Sequence, residues 1–338
     1  MEHTNKKLKL VFGDVVLGVH GDGFSYLFSY QTGGIESLCI GGKEWLYRTP
    51  TPTFWRASTD NDRGCGFPNR SAMWLGADLF WKTEKVTVEK DGCPVEQFLA
   101  PDNNRFGGPV GAEQVTICCI GHTATVPAAE VVMKYTVTGD GAIHVEVSYE
   151  GQKGLPELPV FGMRFVMPTA ADGYEWDGLS GETYPDRMAG GVNGIWKENG
   201  LPVTPYLVPQ DCGVHMETQR LTITRSTVLA NEMGEKNPFS ISFEAGERPF
   251  AFSCLPYTAS ELENALHQEE LPPARRTVVC ILGAVRGLVQ CTTQRHYRFV
   301  KVDILHLLQF GAHQPRGSRC PRAVFNKTNP AVPESLCL

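Results

Sequence analysis

The sequence predicts an all-β fold, a sandwich or a barrel, with few short helices. Three observations carry this. Apolar and polar residues alternate with period two along much of the chain, and turn-rich spacers separate the alternating runs. Glycine (35) and proline (23) are abundant in the 338 residues, as a fold with many turns requires. The runs do not alternate with long helical patterns, which disfavours a βαβ architecture.

The clearest strand is 143–149, where Ile143, Val145, Val147 and Tyr149 alternate with His144, Glu146 and Ser148. Comparable runs occupy 24–30, 86–89, 131–137, 160–167, 221–224, 239–243, 250–253 and 277–282. Gly33-Gly34, Gly41-Gly42, Gly107-Gly108 and Gly139-Asp140-Gly141 supply turns between strands. One helix is predicted from Thr258, an N-cap with Glu261 three residues later. Leu262 and Leu266 share one of its faces, and Pro272-Pro273 ends it. A second short helix is predicted over 71–82.

Composition narrows the function classes. Hydrophobic residues are 42% of the chain, enough for a proper core, and no apolar run is long enough to span a membrane as a helix. The net charge of −6 argues against nucleic-acid and anionic-membrane partners. The N-terminal apolar stretch is broken by Lys9, Gly13 and Asp14 and reads as a strand, not a secretion signal. Eleven scattered cysteines contain no Cys-x-x-Cys pair, so the expected compartment is the cytoplasm, with reduced thiols. Charge is uneven: residues 288–338 hold seven basic and two acidic residues (+5), and 1–287 hold 24 and 35 (−11). This divides the chain into a body over 1–287 and an atypical tail over 288–338.

Three segments could carry chemistry. In the run from Pro52 to Gly64, Phe54, Trp55, Arg56, Asp60, Asn61, Asp62 and Arg63 crowd two aromatics, two arginines and two carboxylates into a turn. Aromatic faces and carboxylates can bind a pyranose. The competing reading is a buried ion-paired turn in which Arg56 or Arg63 satisfies Asp60 or Asp62 and Asn61 caps the backbone. A calcium loop fails because the twelfth position is Ser71. The second segment, Tyr174 to Arg187, holds Glu175, Asp177, Glu182, Tyr184 and Asp186. Paired carboxylates suit glycoside hydrolysis, but carboxylates bound to Arg187 or to backbone amides suit this polar loop as well. The third is His267 with Glu269 and Glu270, a ligand or base on one reading and a helix-end residue on the other. Cys212 and His215 have no second pair to complete a metal site.

These segments, in this order, resemble the C-terminal small-chain domain of large bacterial β-galactosidases of glycoside hydrolase family 2. The resemblance rests on Gly23 to Phe28 with Gly33 to Leu38, Phe54 to Ala57 with Thr59 to Gly64, and Leu158 to Phe165. It continues through Trp176, Gly178 and Glu182 to Arg187, then Tyr206 to Gln210 with Gly213, and Pro256-Tyr257 with Leu262 and His267. It covers residues 8–287. It implies a galactose-mutarotase-like supersandwich that is not catalytic alone. The catalytic glutamates, and the magnesium and sodium sites, would lie on a separate (β/α)8 large subunit or domain, leaving this chain with no cofactor. The loop 64–71 would stand near the active-site mouth, with Arg56, Asp60, Asp62 and Arg63 shaping it, and Glu182, Tyr184, Asp186 and Arg187 would brace the sandwich. The implied function is to support hydrolysis of terminal β-D-galactosides by that partner.

The pattern departs from the family after Gly287, where a Gly-Val-Gly-Gly stretch, Asp-Ser-Trp and two further strands are expected. No tryptophan follows Trp196. The simultaneous change of motif and composition points to a frameshift near residue 288, with loss of the last strands and disorder from about 311. The alternatives are a stand-alone carbohydrate-binding module, a mutarotase-like epimerase using His144, His215 or His267 with a glutamate base, and a truncated product without function.

Overall fold

A computed structural model describes residues 7–99, 109–183, 188–208, 211–229, 237–285 and 298–306. Among them the chain forms β1 (Leu8–Phe12), β2 (Val16–Gly21), β3 (Phe24–Ser29), β4 (Gly34–Ile40), β5 (Lys43–Glu44) and β6 (Arg48–Thr53). Two short helices follow, α1 (Asp60–Gly64) and α2 (Phe67–Ser71), the second running into a 3₁₀ turn at Ala72–Trp74. Next come β7 (Lys82–Lys90), β8 (Cys93–Pro94), β9 (Val110–Ala112), β10 (Gln114–His122), β11 (Glu130–Thr138), β12 (Ile143–Tyr149) and β13 (Val160–Met167). Then follow β14 (Gly173–Leu179), β15 (Asn193–Asn199), β16 (Val214–Thr218), β17 (Arg220–Arg225), β18 (Phe239–Ala245) and β19 (Phe250–Leu255). Helix α3 (Ala259–Glu263), β20 (Thr277–Val285) and β21 (Arg298–His306) complete the described chain.

The strands form three antiparallel sheets. A ten-stranded sheet runs β15-β14-β17-β18-β21-β12-β11-β10-β7-β8, a six-stranded sheet β5-β4-β3-β2-β1-β9, and a five-stranded sheet β16-β19-β20-β13-β6. The large sheet faces both smaller ones. Phe28 of β3 meets Tyr135 of β11 edge to face at 5.6 Å, and Phe165 of β13 meets Phe243 of β18 at 5.1 Å. The Tyr26 hydroxyl donates to the Gly141 carbonyl at 2.7 Å, tying the six-stranded sheet to the β11–β12 turn. The layers share one apolar core that takes side chains from all three sheets. This is an all-β sandwich, one of the two all-β architectures that the alternation allows, and the one that the resemblance implies.

Alternation sets the faces. In β12, Ile143, Val145, Val147 and Tyr149 are buried and His144 is exposed. In β13 every residue is buried. Its second face lies under the segments 201–208, 211–213 and 255–276, where Leu207, Cys212, Leu255, Leu262 and Ala265 make a satellite cluster. Close approach fixes one glycine here: a Cβ on Gly162 would stand 2.1 Å from the Ile281 carbonyl oxygen of β20.

Two expectations meet a different arrangement. The helix predicted over 71–82 is replaced by the end of α2, the 3₁₀ turn, a run of turns over 75–80 and the start of β7. Trp74 is drawn fully into the core, stacking on Phe54 at 5.5 Å and donating to the Pro156 carbonyl at 3.1 Å, and Gly76 turns the chain at φ +77°. That anchor outweighs helical propensity. Helix α3 keeps its predicted capping box: Thr258 Oγ1 accepts from Glu261 N, and the Glu261 carboxylate accepts from Thr258 N at 2.7 Å. It is one turn long, so Leu262 is buried and Leu266 is exposed. Within the tail, Arg298–His306 forms β21 in the middle of the ten-stranded sheet, paired with β12 and β18, with Val302 and Ile304 buried. Residues 307–338 lie outside the described residues.

Candidate functional site

The first motif leaves the end of β6 and enters α1. Thr59 is the N-cap of α1, with Oγ1 accepting from Asp62 N at 3.2 Å, and Asp62 Oδ2 accepts from Thr59 N at 3.0 Å. The cap is therefore Thr59 with Asp62, where Asn61 had been expected. Thr59 wins because its hydroxyl precedes the helix and meets the free amide of the third helical residue. Asn61 lies exposed on α1, and its carbonyl accepts from Cys65 N.

The buried ion-paired reading describes Asp62. Its Oδ2 accepts from Arg56 Nη1 at 2.7 Å, and both side chains are largely buried. The Asp62 carboxyl titrates below its ordinary value: burial opposes ionisation, but the Arg56 charge and the Thr59 and Arg56 hydrogen bonds outweigh it. Asp60 is exposed at the surface and is held through its backbone N–H, which donates to the Val208 carbonyl at 2.7 Å. Arg63 reaches Glu263 at 3.8 Å. Gly64 ends α1 in open space.

Two carboxylates that sequence reasoning missed complete the cluster. Glu263, at the end of α3, accepts from the Trp55 indole at 3.0 Å and from Ser58 N at 2.6 Å. Asp211 stands 3.6 Å from Arg56 Nε. Burial drives the Asp211 carboxyl up to about 6, with the Arg56 charge opposing and the Asp62 and Glu182 charges adding to the rise. The only signal for Asp211 was its place beside the Tyr206 to Gln210 motif, and Glu263 had none beyond α3.

The segment carrying Asp211 and Cys212 also adjoins the second motif. Glu182 is exposed and accepts from Thr204 Oγ1 at 2.5 Å, and Thr204 Oγ1 accepts from the neighbouring Cys212 thiol at 3.4 Å. Tyr184, Asp186 and Arg187 lie outside the described residues. His267 is not part of this cluster's buried core. It is exposed, and its Nδ1 is 3.0 Å from Glu270, whose hydrogen bond raises the imidazole's basicity.

Of the histidines considered as acids or bases, His144 lies on the sheet surface against Asp303 at 2.5 Å. His215 is buried among Trp176, Tyr174 and Phe252. Its Nδ1 lies 2.8 Å from the Gly181 carbonyl and its Nε2 3.3 Å from the Tyr174 hydroxyl. Burial lowers its pKa to about 4, so it is neutral and enclosed. The cavity beside Arg56 and Asp211 measures ≈ 40 Å³, far below the roughly 300 Å³ at which small-molecule pockets begin. The cluster is thus built to hold the turn entering α1, with its carboxylates directed at arginine, backbone and cap.

Residues 20–299 match the beta galactosidase small chain family. The chain belongs to that family. It is 54% identical over 314 residues to a β-galactosidase small subunit of Latilactobacillus sakei, an alignment covering 88% of this chain and 99% of that protein. It is also 35% identical over 289 residues to a β-galactosidase of Halalkalibacterium halodurans and 37% identical over 196 residues to one of Clostridium acetobutylicum. Those alignments cover 83% and 58% of this chain but 25% and 20% of the relatives, so the chain spans about a quarter or less of their length. The family match extends past residue 287, beyond the change in composition.

Proposed function

We propose that this chain is the small subunit of a two-chain β-galactosidase. It supports hydrolysis of terminal β-D-galactosides, of the lactose type, by a large catalytic subunit, and it is not catalytic alone. The observation that carries this is the 54% identity over almost the whole length of a β-galactosidase small subunit. The site geometry agrees: Asp62 and Glu263 are engaged with Arg56, Arg63, Trp55 and backbone amides, and the adjoining cavity of ≈ 40 Å³ is too small for a sugar. Helix α1 (Asp60–Gly64) then serves as a rigid shelf from which the segment 64–71, expected as a loop but carrying α2, can approach the partner's active-site mouth. Magnesium and sodium belong to the partner on this reading, and the compartment is the cytoplasm. The eight cysteines among the described residues are all free thiols, in keeping with that compartment. No helix among the described residues is long and apolar enough to cross a membrane.

The test is turnover of an aryl β-galactoside by the purified chain, by the large chain of the Latilactobacillus sakei enzyme, and by their mixture. The expected result is no turnover by this chain alone and activity in the mixture above that of the large chain. Turnover by a homogeneous sample of this chain alone would overturn the reading.

A further inference from the structure

Outside the motif cluster, the outer side of the five-stranded sheet carries a groove of ≈ 600 Å³. Its floor includes Arg164, Val166 and Val278, and its walls come from Arg48, Leu79 and the Pro272 to Arg276 segment. The charge in it is one-sided. Arg164 is buried and bonded to Asp78, so that pair is closed. Glu261 also lines the groove, but one oxygen of its carboxylate is committed to the α3 cap, accepting from Thr258 N and Oγ1. Arg48, Arg275 and Arg276 remain, and among the described residues no carboxylate lies within 4.0 Å of any of them.

Two of these guanidinium groups converge on one ring. Arg276 lies 3.5 Å from the centroid of the Tyr47 ring and Arg48 lies 5.5 Å from it. The Tyr47 backbone N–H donates to the Val166 carbonyl at 2.8 Å, which fixes the main chain from which the ring projects toward both cations. Like charges gathered at one anchored ring, on a chain whose net charge is −6, lower the energy of an anion entering between them. Apolar surface flanks the groove: Leu79 is 60% and Phe80 70% exposed. Arginine and exposed aromatic residues beside apolar surface are the composition of a protein interface core, not of an ordinary solvated face.

We infer that this groove seats a carboxylate-bearing segment of the large catalytic chain, which Arg48, Arg275 and Arg276 engage while Leu79 and Phe80 pack against neighbouring apolar side chains. The inference rests on the pairing proposed above. Large-chain surface is the occupant because, in the single-chain relatives, sequence like this one is joined to about three further quarters of protein. A domain held within such a chain has faces that the remainder covers.

The experiment measures binding of the purified chain to the Latilactobacillus sakei large chain by biolayer interferometry. Reversing two guanidinium charges in R48E/R276E is expected to weaken binding about 100-fold, about tenfold per charge. The salt dependence seen with wild type should fall in parallel. Lys134→Glu, on the exposed face of the ten-stranded sheet, should leave affinity unchanged, and R48K/R276K should retain most of it. Cooperative melts establish that each variant folds. If R48E/R276E does not fold, the exposed Arg275→Glu carries the test, with about tenfold expected. Unchanged affinity in the folded reversals, with wild type bound, overturns the groove and leaves the pairing intact. Absence of a wild-type complex overturns both. Self-association of the isolated chain that the reversals abolish would give the groove to a second copy and overturn the inference.

Discussion

Asp211→Asn isolates a buried charge. In the folded protein the Asp211 carboxyl is raised from 3.8 to about 6, because desolvation outweighs its 3.6 Å approach to Arg56. A raised carboxylate pKa means that the folded state holds a proton that the unfolded chain has released between these values. Stability contributed through Asp211 therefore falls as pH rises from about 4 to about 6 and stays low above that. At about 1.4 kcal/mol per pH unit, the span amounts to about 3 kcal/mol. Replacing Asp211 by Asn removes the charge and keeps the shape. Because the unfolded carboxyl is already partly ionised at pH 4, the stability of the variant minus that of wild type should be about 2 kcal/mol more favourable at pH 7.5 than at pH 4. Urea unfolding at pH 4, 5, 6 and 7.5 measures that difference. The difference is needed because His215, lowered to about 4, titrates in the same range with the opposite sign. A depressed histidine contributes stability above 6.5 that is lost as pH falls. A difference that is flat with pH would show the Arg56 attraction to cancel desolvation, and one that shifts toward wild type as pH rises would show it to prevail; either would refute the reasoning.

Two further predictions concern the elements that hold the sandwich. Asp62→Ala removes the anchor of both Arg56 and the α1 cap, and it should cost about 3–5 kcal/mol by urea midpoint. A cost under about 1 kcal/mol would mean that Asp211 alone suffices for Arg56. Ending the chain at residue 297 removes β21 and leaves β12 and β18 as two new edges inside the large sheet. That truncation should abolish the cooperative melt, and a melt like that of the full chain would show β21 to be dispensable.

Local chemistry was legible in the sequence. Strands β3, β7, β11 to β13 and β17 to β20 lie where the alternating runs place them, and the α3 cap follows from Thr258 and Glu261 three residues apart. The Arg56–Asp62 pair likewise joins residues only six apart. These depend on neighbours along the chain, and family membership followed from such motifs taken in order. Tertiary structure alone decided the rest. Glu263 reaches Trp55 across 208 residues, and Asp211 comes within 3.6 Å of Arg56 from a position whose own sequence says nothing of where it lands. Trp74 overrode a helical pattern because its indole had a place between Phe54 and Tyr149 that no local preference encodes. The position of β21 between β12 and β18 rests on the same physics: alternation fixes which face of a strand is buried, while its neighbours are set by which edges remain open once the sheets have packed.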